Sequence, residues 1–123
     1  MTRVLIVEDE EGVRQLAAES LEECGYRVLL AENAPAAVSM LERDKIDLLL
    51  SDIVMPGGMS GLELADRARR LRGELPVLLT TGYAEAIDHA AARGTGIELL
   101  RKPFRPRELG AKVHQMLRAV AGE

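Results

Sequence analysis

Aromatic side chains are almost absent from this sequence of 123 residues, which has no tryptophan, one phenylalanine and two tyrosines. Proteins that bind single-stranded nucleic acid commonly stack bases on such rings. The formal net charge of −4 also disfavours a polyanion as the main partner. We therefore expect no direct binding of nucleic acid and a core built from aliphatic side chains.

Cysteine and long apolar runs are equally scarce. The single cysteine, Cys24, excludes an internal disulfide bond and suits a reducing compartment. Its position late in an apolar helical pattern predicts a small core residue. No stretch is long enough to cross a bilayer, and the N-terminus lacks the features of a signal peptide. We expect a cytoplasmic protein without membrane association, folded as one domain over residues 1–123.

Short apolar runs alternate with helical patterns along the whole chain. Val4–Val7 is rich in β-branched residues, which is typical of a strand buried on both faces. The predicted strands are 4–7, 28–30, 46–51, 76–80 and 97–100, and the predicted helices are 13–24, 33–41, 62–71, 84–92 and 106–121. Asn33 is the expected N-cap of the second helix, with Pro35 in its first turn. This alternation predicts an α/β fold, a doubly wound, flavodoxin-like (βα)5 sandwich with a five-stranded parallel sheet.

Polar residues follow four of the five predicted strands. Glu8 and Asp9 follow the first strand, Asp52 the third, Thr80-Thr81-Gly82 the fourth and Lys102 the fifth. In an open parallel sheet, ligands bind beyond the carboxyl ends of the strands. Three carboxylates that converge there need a neutralising cation. Because the cluster offers only oxygen ligands, it favours Mg²⁺ over zinc or copper.

Carboxylates, a lysine and a threonine around Mg²⁺ suit phosphoryl transfer, in which a carboxylate such as that of Asp52 can be the nucleophile. Each residue also has an ordinary interpretation. Glu8 and Asp9 could be the acidic start of a helix, Asp52 a turn residue and Lys102 a surface charge. Their occurrence together at matching strand ends favours the functional interpretation.

Four motifs carry a family resemblance. They are Val-Glu-Asp-Glu at 7–10, Ser-Asp-Ile-Val-Met-Pro at 51–56 followed by Gly61, Leu-Thr-Thr-Gly at 79–82 and Arg-Lys-Pro-Phe at 101–104. In this order they resemble the receiver domain of two-component response regulators, either stand-alone or cut from a hybrid histidine kinase. The resemblance implies strand order 2-1-3-4-5 and a phosphorylation-dependent signalling switch. Such a domain is not an enzyme beyond its own phosphorylation and dephosphorylation.

The resemblance also implies a role for each residue at the strand ends. Asp52 would accept the phosphoryl group from a phosphohistidine of a sensor histidine kinase or a histidine phosphotransfer protein. Asp9, Asp52 and the backbone carbonyl of Val54 would bind Mg²⁺, while Glu8 would act mainly through a metal-bound water. After the switch, Thr81 would hydrogen-bond a phosphoryl oxygen. Lys102 would pair with Asp52 and then with the phosphoryl group, and its bond to the following proline would be cis.

The sequence departs from the family pattern in ways that bear on signal output. The loop at 56–61 is one residue longer than the usual form, and Leu99 occupies the position where many receivers carry a switching aromatic residue. Tyr83 is the nearest aromatic that could replace it. The resemblance places the output surface on the fourth helix, fifth strand and fifth helix. Because no output domain follows within the 123 residues, we expect a downstream target or output domain in trans, or a chain cut from a larger protein such as a hybrid kinase. A homodimer stays open.

Two other function classes share this sandwich. A Mg²⁺-dependent phosphohydrolase with an aspartyl nucleophile usually has a second aspartate two residues later, where this chain has Val54. A flavodoxin-like nucleotide or flavin binder needs a phosphate-binding loop after the first strand, but the acidic residues at 8–11 would repel phosphate. Three further features have structural or open interpretations. The basic residues at 67, 69, 70 and 72 indicate a helix end. His89 and His114 are expected to lie on the surface. Val13 could face either the core or a partner protein.

Overall fold

The computed structural model describes residues 1–55, 58–82, 96–120 and 122. In order, the elements are β1 (Arg3–Val7), α1 (Glu11–Glu23), β2 (Arg27–Ala31), α2 (Ala34–Arg43), β3 (Leu48–Asp52), α3 (Gly61–Arg72), β4 (Val77–Thr81), β5 (Ile97–Arg101) and α4 (Pro106–Val120). The predicted elements within these ranges are confirmed to within about two residues at each end. The helix predicted at 84–92 lies outside the described residues. Within the described part of the chain, no helix has the length and apolar character needed to span a membrane.

All five strands are parallel and lie in the order β2-β1-β3-β4-β5, as predicted. Val7 at the end of β1 is in register with Ala31 of β2 and Ser51 of β3. Asp52 is in register with Thr80 of β4. Because the strands run in one direction and end level with one another, their last residues share one edge of the sheet.

Alternating side chains of each strand supply two hydrophobic layers, because successive residues point to opposite faces of a sheet. Leu5 and Val7 belong to a cluster with residues of α2 and α3. Val4 and Ile6 belong to a second cluster with residues of α1 and α4. Both faces of the sheet are therefore covered, which confirms the doubly wound architecture.

Side-chain caps fix where two of the helices begin. Asn33 accepts a hydrogen bond from the Ala36 N–H at 2.9 Å, as its predicted N-cap position requires. At α3, the Ser60 hydroxyl accepts from the Glu63 N–H at 3.2 Å, and the Glu63 carboxylate accepts from the Ser60 N–H at 3.3 Å. This reciprocal capping box makes α3 begin at Gly61.

Basic residues near the end of α3 bind main-chain carbonyl groups. Arg69 donates from Nε to the Leu75 oxygen at 3.1 Å. Arg72 donates from Nε to the Leu41 oxygen at 2.9 Å and from Nη2 to the Asp44 oxygen, at the end of α2. For these two arginines, the structural interpretation of the basic cluster is confirmed.

Cys24, which was predicted to face the core, is exposed instead, as are Leu16 and Val120. Cys24 is exposed because it is the C-cap of α1, beyond its last turn. Leu16 is 47% exposed, since the buried face of α1 passes through Ala17 and Leu21. Val120 is 64% exposed at the last position of α4. Val13 is half-buried, so both of its interpretations stay open.

Candidate functional site

The carboxyl edge of the sheet brings the predicted site residues together. Asp52 and Thr81 are the last residues of β3 and β4, while Glu8 and Lys102 directly follow β1 and β5. The Lys102 N–H donates to the Thr81 carbonyl at 2.9 Å, which continues the β4–β5 ladder to the site. Glu8, Asp52 and Thr81 are buried. The peptide bond between Lys102 and Pro103 is cis, as predicted.

Lys102 joins the two buried carboxylates. Its Nζ donates to Glu8 Oε1 at 2.8 Å and to Asp52 Oδ2 at 3.0 Å. The side chains of Glu8, Asp52 and Lys102 are 5%, 11% and 22% exposed, respectively. Water therefore screens these ion pairs only weakly, and one ammonium group faces two negative charges.

Burial and charge pairing shift two pKa values in the site. Desolvation raises the pKa of Glu8, and hydrogen bonds from Lys102 and the Glu10 N–H only partly oppose that rise. For Lys102, burial acts to lower the pKa, but its hydrogen bonds to Glu8 and Asp52 outweigh burial and raise it. Lys102 is therefore fully protonated at neutral pH.

The acidic residues at this edge fit a hard cation. Carboxylate oxygens of Glu8, Asp9 and Asp52 lie within 4.8 Å of one another, and they offer only oxygen ligands. Asp9, Asp52, Val54 and Lys102 line an open pocket. Val54 is 50% exposed. A divalent ion held here would be reachable from solvent.

Glu8 and Asp9 differ in how they are held. Both oxygens of Glu8 have hydrogen-bond partners, because Oε1 accepts from Lys102 and Oε2 accepts from the Glu10 N–H at 3.1 Å. Asp9 is exposed to solvent. Its carboxylate is therefore the more accessible of the two for a direct bond to a metal ion.

The main chain behind Asp52 is packed against the start of α3. A Cβ atom added to Gly61 would lie 2.2 Å from the Asp52 carbonyl oxygen, a separation that Cβ atoms essentially never show. The Gly61 N–H donates to the Ile53 carbonyl at 2.7 Å, and the Ser51 hydroxyl donates to the Asp52 carbonyl at 2.9 Å. Gly61 is thus required by close approach to the backbone.

Sequence reasoning missed two residues that contact this site. For Ser51, the hydrogen bond from its hydroxyl to the Asp52 carbonyl leaves no signal in the sequence. Arg14 donates from Nη1 to the Glu8 carbonyl oxygen at 2.8 Å. A signal did exist for Arg14, since a cation near the start of a helix has the unfavourable sign for the helix dipole.

The remaining residues singled out from the sequence lie elsewhere or cannot be placed. Leu99 lies on β5 in register with Leu79 and packs against the α2–α3 side of the core. His114 is exposed on α4, with Nδ1 3.4 Å from the Tyr26 hydroxyl. Tyr83 and His89 lie outside the described residues.

Comparison with known proteins agrees with this arrangement. The family model described as "Response regulator receiver domain" matches residues 4–114. The response regulator receiver protein CpdR of Brucella abortus is 36% identical over 118 residues, covering 95% of this chain and 98% of CpdR. The phosphate regulon regulatory protein PhoB of Pseudomonas aeruginosa is 38% identical over 118 residues, covering 94% of this chain. The chain spans about half of PhoB, 51% of its length.

Solved structures with the same fold include receivers from different contexts. The receiver domain of the hybrid histidine kinase CckA is 38% identical, with a TM-score of 0.80, and 94% of this chain and 98% of that chain are covered. The response regulator TrrA of Thermotoga maritima, in complex with Mg²⁺-BeF, is 34% identical, with a TM-score of 0.85, and 94% of this chain and 99% of that chain are covered. This chain therefore belongs to the receiver domains of two-component response regulators, which signal through phosphorylation.

Proposed function

We propose that Asp52 is the phosphoacceptor of this receiver domain and that Glu8, Asp9, Thr81 and Lys102 support its reaction. The observation that carries the proposal is the pair of bonds from Lys102 Nζ, 2.8 Å to Glu8 and 3.0 Å to Asp52. A buried carboxylate held by a lysine beside a second acidic group is suited to form an aspartyl phosphate.

Phosphoryl transfer would begin with a phosphohistidine on a sensor histidine kinase or a histidine phosphotransfer protein. A carboxylate oxygen of Asp52 forms the new P–O bond while the P–N bond breaks. The electron pair of the broken bond stays on the imidazole nitrogen of the partner. The phosphoryl group thus stays on the domain itself, which distinguishes this reaction from that of an enzyme that modifies a separate substrate.

Asp9, Asp52 and the backbone carbonyl of Val54 would hold Mg²⁺, and Glu8 would act mainly through a metal-bound water. When bound, Mg²⁺ neutralises the carboxylates and the charge on the phosphoryl oxygens. Both carboxylate oxygens of Glu8 already accept hydrogen bonds, which supports a role for Glu8 through a metal-bound water. TrrA, a structural relative, was crystallised with Mg²⁺-BeF, which supports the choice of ion.

Lys102 and Thr81 would stabilise the phosphorylated state. Once Asp52 carries the phosphoryl group, Lys102 exchanges its bond with the Asp52 carboxylate for one with a phosphoryl oxygen, while Glu8 retains the other side of the ammonium group. Thr81, at the end of β4, would donate its hydroxyl to another phosphoryl oxygen. Val54 occupies the position of the general acid in related phosphohydrolases, and its apolar side chain cannot donate a proton there.

The wider role is part of the same proposal. Residues 1–123 form one receiver domain, which passes its state to a downstream target or an output domain in trans, and the domain can also act as a homodimer. The output surface would include β5 and α4. Because Leu99 lacks the aromatic ring of many receivers, relay of the signal cannot use ring rotation at that position.

Acetyl phosphate with Mg²⁺ provides the direct test. Wild-type protein is expected to gain one phosphoryl group by intact-protein mass spectrometry, and Asp52→Asn is expected to gain none. Asp47→Asn is the matched control, because Asp47 lies five positions earlier and binds the Arg3 N–H. Phosphorylation that persists in Asp52→Asn, or that disappears in folded Asp47→Asn, would reject the assignment.

A further inference from the structure

We propose that Arg14 is a positioning residue for the metal site: it holds the main-chain carbonyl of Glu8 and so sets where Asp9 presents its carboxylate. The proposal rests on the function proposed above, because it concerns the same Mg²⁺ site. It concerns a residue of α1 that is not one of the proposed ligands.

The geometry links Arg14 to Asp9 through one peptide group. Arg14 Nη1 lies 2.8 Å from the Glu8 carbonyl oxygen. The Glu8 carbonyl and the Asp9 N–H belong to the same planar unit, so fixing the oxygen restrains the plane that leads into Asp9. Asp9 itself is exposed, and burial does not fix its side chain. Its position therefore depends on the backbone that Arg14 holds.

The other bonds of Glu8 restrain different sides of the residue. Its N–H donates to the Ala31 carbonyl at 3.1 Å, on the side that faces β2. Its side chain binds Lys102 and the Glu10 N–H. Arg14 adds the bond on the carbonyl side, which is the side that continues into Asp9.

The start of α1 also differs from those of α2 and α3. Glu10 is the N-cap of α1 and makes no side-chain capping bond, whereas Asn33 and Ser60 both cap their helices. The N-cap residue of α1 thus makes no side-chain hydrogen bond to the first turn of the helix. Arg14 instead ties α1 to this turn through its side chain, which donates to the Glu8 carbonyl.

Charge alone would give Arg14 the opposite effect on metal binding. A guanidinium group near the first turn of a helix adds positive charge where the dipole is already positive, and it repels a divalent cation. If Arg14 acted only through its charge, its removal would strengthen Mg²⁺ binding. A positioning role predicts that its removal weakens binding.

Calorimetric titration with MgCl₂ shows whether the loss of Arg14 strengthens or weakens Mg²⁺ binding. Arg14→Gln is expected to weaken Mg²⁺ binding by about tenfold, as is usual when a residue that orients a ligand is lost. Arg14→Lys, which keeps the charge and one donor but not the planar fork, is expected to weaken it by about threefold. Arg105→Gln removes the same charge three residues after Lys102 and is expected to bind like the wild type.

Each outcome decides the question. Equal or tighter binding by Arg14→Gln would overturn the inference, as would an equal loss in Arg105→Gln. If Arg14→Gln does not fold by circular dichroism, wild-type affinity in folded Arg14→Lys would overturn it instead. Failure of the wild type to bind Mg²⁺ would reject the proposed metal site itself, and the inference with it.

Discussion

The two edges of the sheet use charged side chains in different ways. At the carboxyl edge, the most buried charged side chains bind one another, because Lys102 pairs with the carboxylates of Glu8 and Asp52. At the amino edge, the charged side chains of Arg72 and Asp47 bind the main chain. Arg72 donates to the Leu41 carbonyl, and Asp47 accepts from the Arg3 N–H at 2.8 Å.

This difference separates stability from reactivity. The amino-edge bonds satisfy backbone groups at helix and strand ends, which would otherwise lose hydrogen bonds on burial. The carboxyl edge concentrates three acidic groups around one lysine, an arrangement that costs folding free energy in the absence of a cation. Changes at the amino edge should therefore lower stability without altering phosphorylation, while changes at the carboxyl edge should alter phosphorylation and can raise stability.

The largest effect is expected for Lys102→Met. Loss of the Lys102 ammonium group leaves the carboxylates of Glu8 and Asp52 without their shared cation. It also removes the positive charge that would bind the phosphoryl oxygens. Phosphorylation by acetyl phosphate, followed by mass spectrometry over time, should slow by about 100-fold. The control is Lys112→Met, because Lys112 forms an ion pair with Glu98 on β5. A rate within about threefold of the wild type would show that Lys102 takes no part in phosphorylation, and it would contradict the proposed difference between the two edges.

Arg72→Ala tests the other side of the comparison. Removal of the guanidinium group leaves the Leu41 carbonyl without this donor and should lower the free energy of unfolding by about 1–2 kcal/mol, measured by urea denaturation. Phosphorylation of the folded variant should stay at the wild-type rate. Arg70→Ala, in the same exposed last turn, is the control. Slower phosphorylation in Arg72→Ala would show that the two edges are coupled.

The smallest effect is expected for Glu8→Gln in the absence of Mg²⁺. Burial raises the folded-state pKa of Glu8 above its ordinary value of 4.5. The folded protein therefore holds this proton more tightly than the unfolded chain, and stability from Glu8 is lost as pH rises from 4.5 through the folded pKa. The raised pKa of Lys102 acts only above its ordinary value of 10.5, outside this range.

Glutamine cannot titrate, so Glu8→Gln should gain stability relative to the wild type as pH rises toward neutrality. Thermal unfolding of both proteins at about pH 4 and about pH 7 measures that difference. A difference in melting temperature that shrinks toward neutral pH would contradict the assignment of burial as the dominant influence on Glu8.

Much of the fold and site could be predicted because the information is periodic or lies at strand ends. Apolar runs located the strands. Their alternation with helices predicted a parallel sheet, in which Asp52 and Lys102 lie at the same edge. The N-cap at Asn33 was predictable because capping is a local event within four residues. Cys24 was wrongly predicted to lie in the core because an apolar pattern does not show at which residue a helix ends.

Contacts between a side chain and a distant backbone group could not be predicted. The bond from Arg72 to Leu41 spans 31 positions and depends on how α2 and α3 pack. Ser51 reaches only the next residue, but which carbonyl its hydroxyl meets depends on the bend after β3. Such bonds can be identified only from the three-dimensional structure, since no spacing rule relates the donor residue to the acceptor residue.

The close approach of Gly61 to the backbone of Asp52 has a consequence for the segment that joins β3 to α3. The bond between the Ile53 carbonyl and the Gly61 N–H joins the two ends of the intervening segment at 2.7 Å. An insertion between them can enlarge the loop without moving the end of β3 or the start of α3. The bond thus sets the separation of the two ends independently of how many residues lie between them.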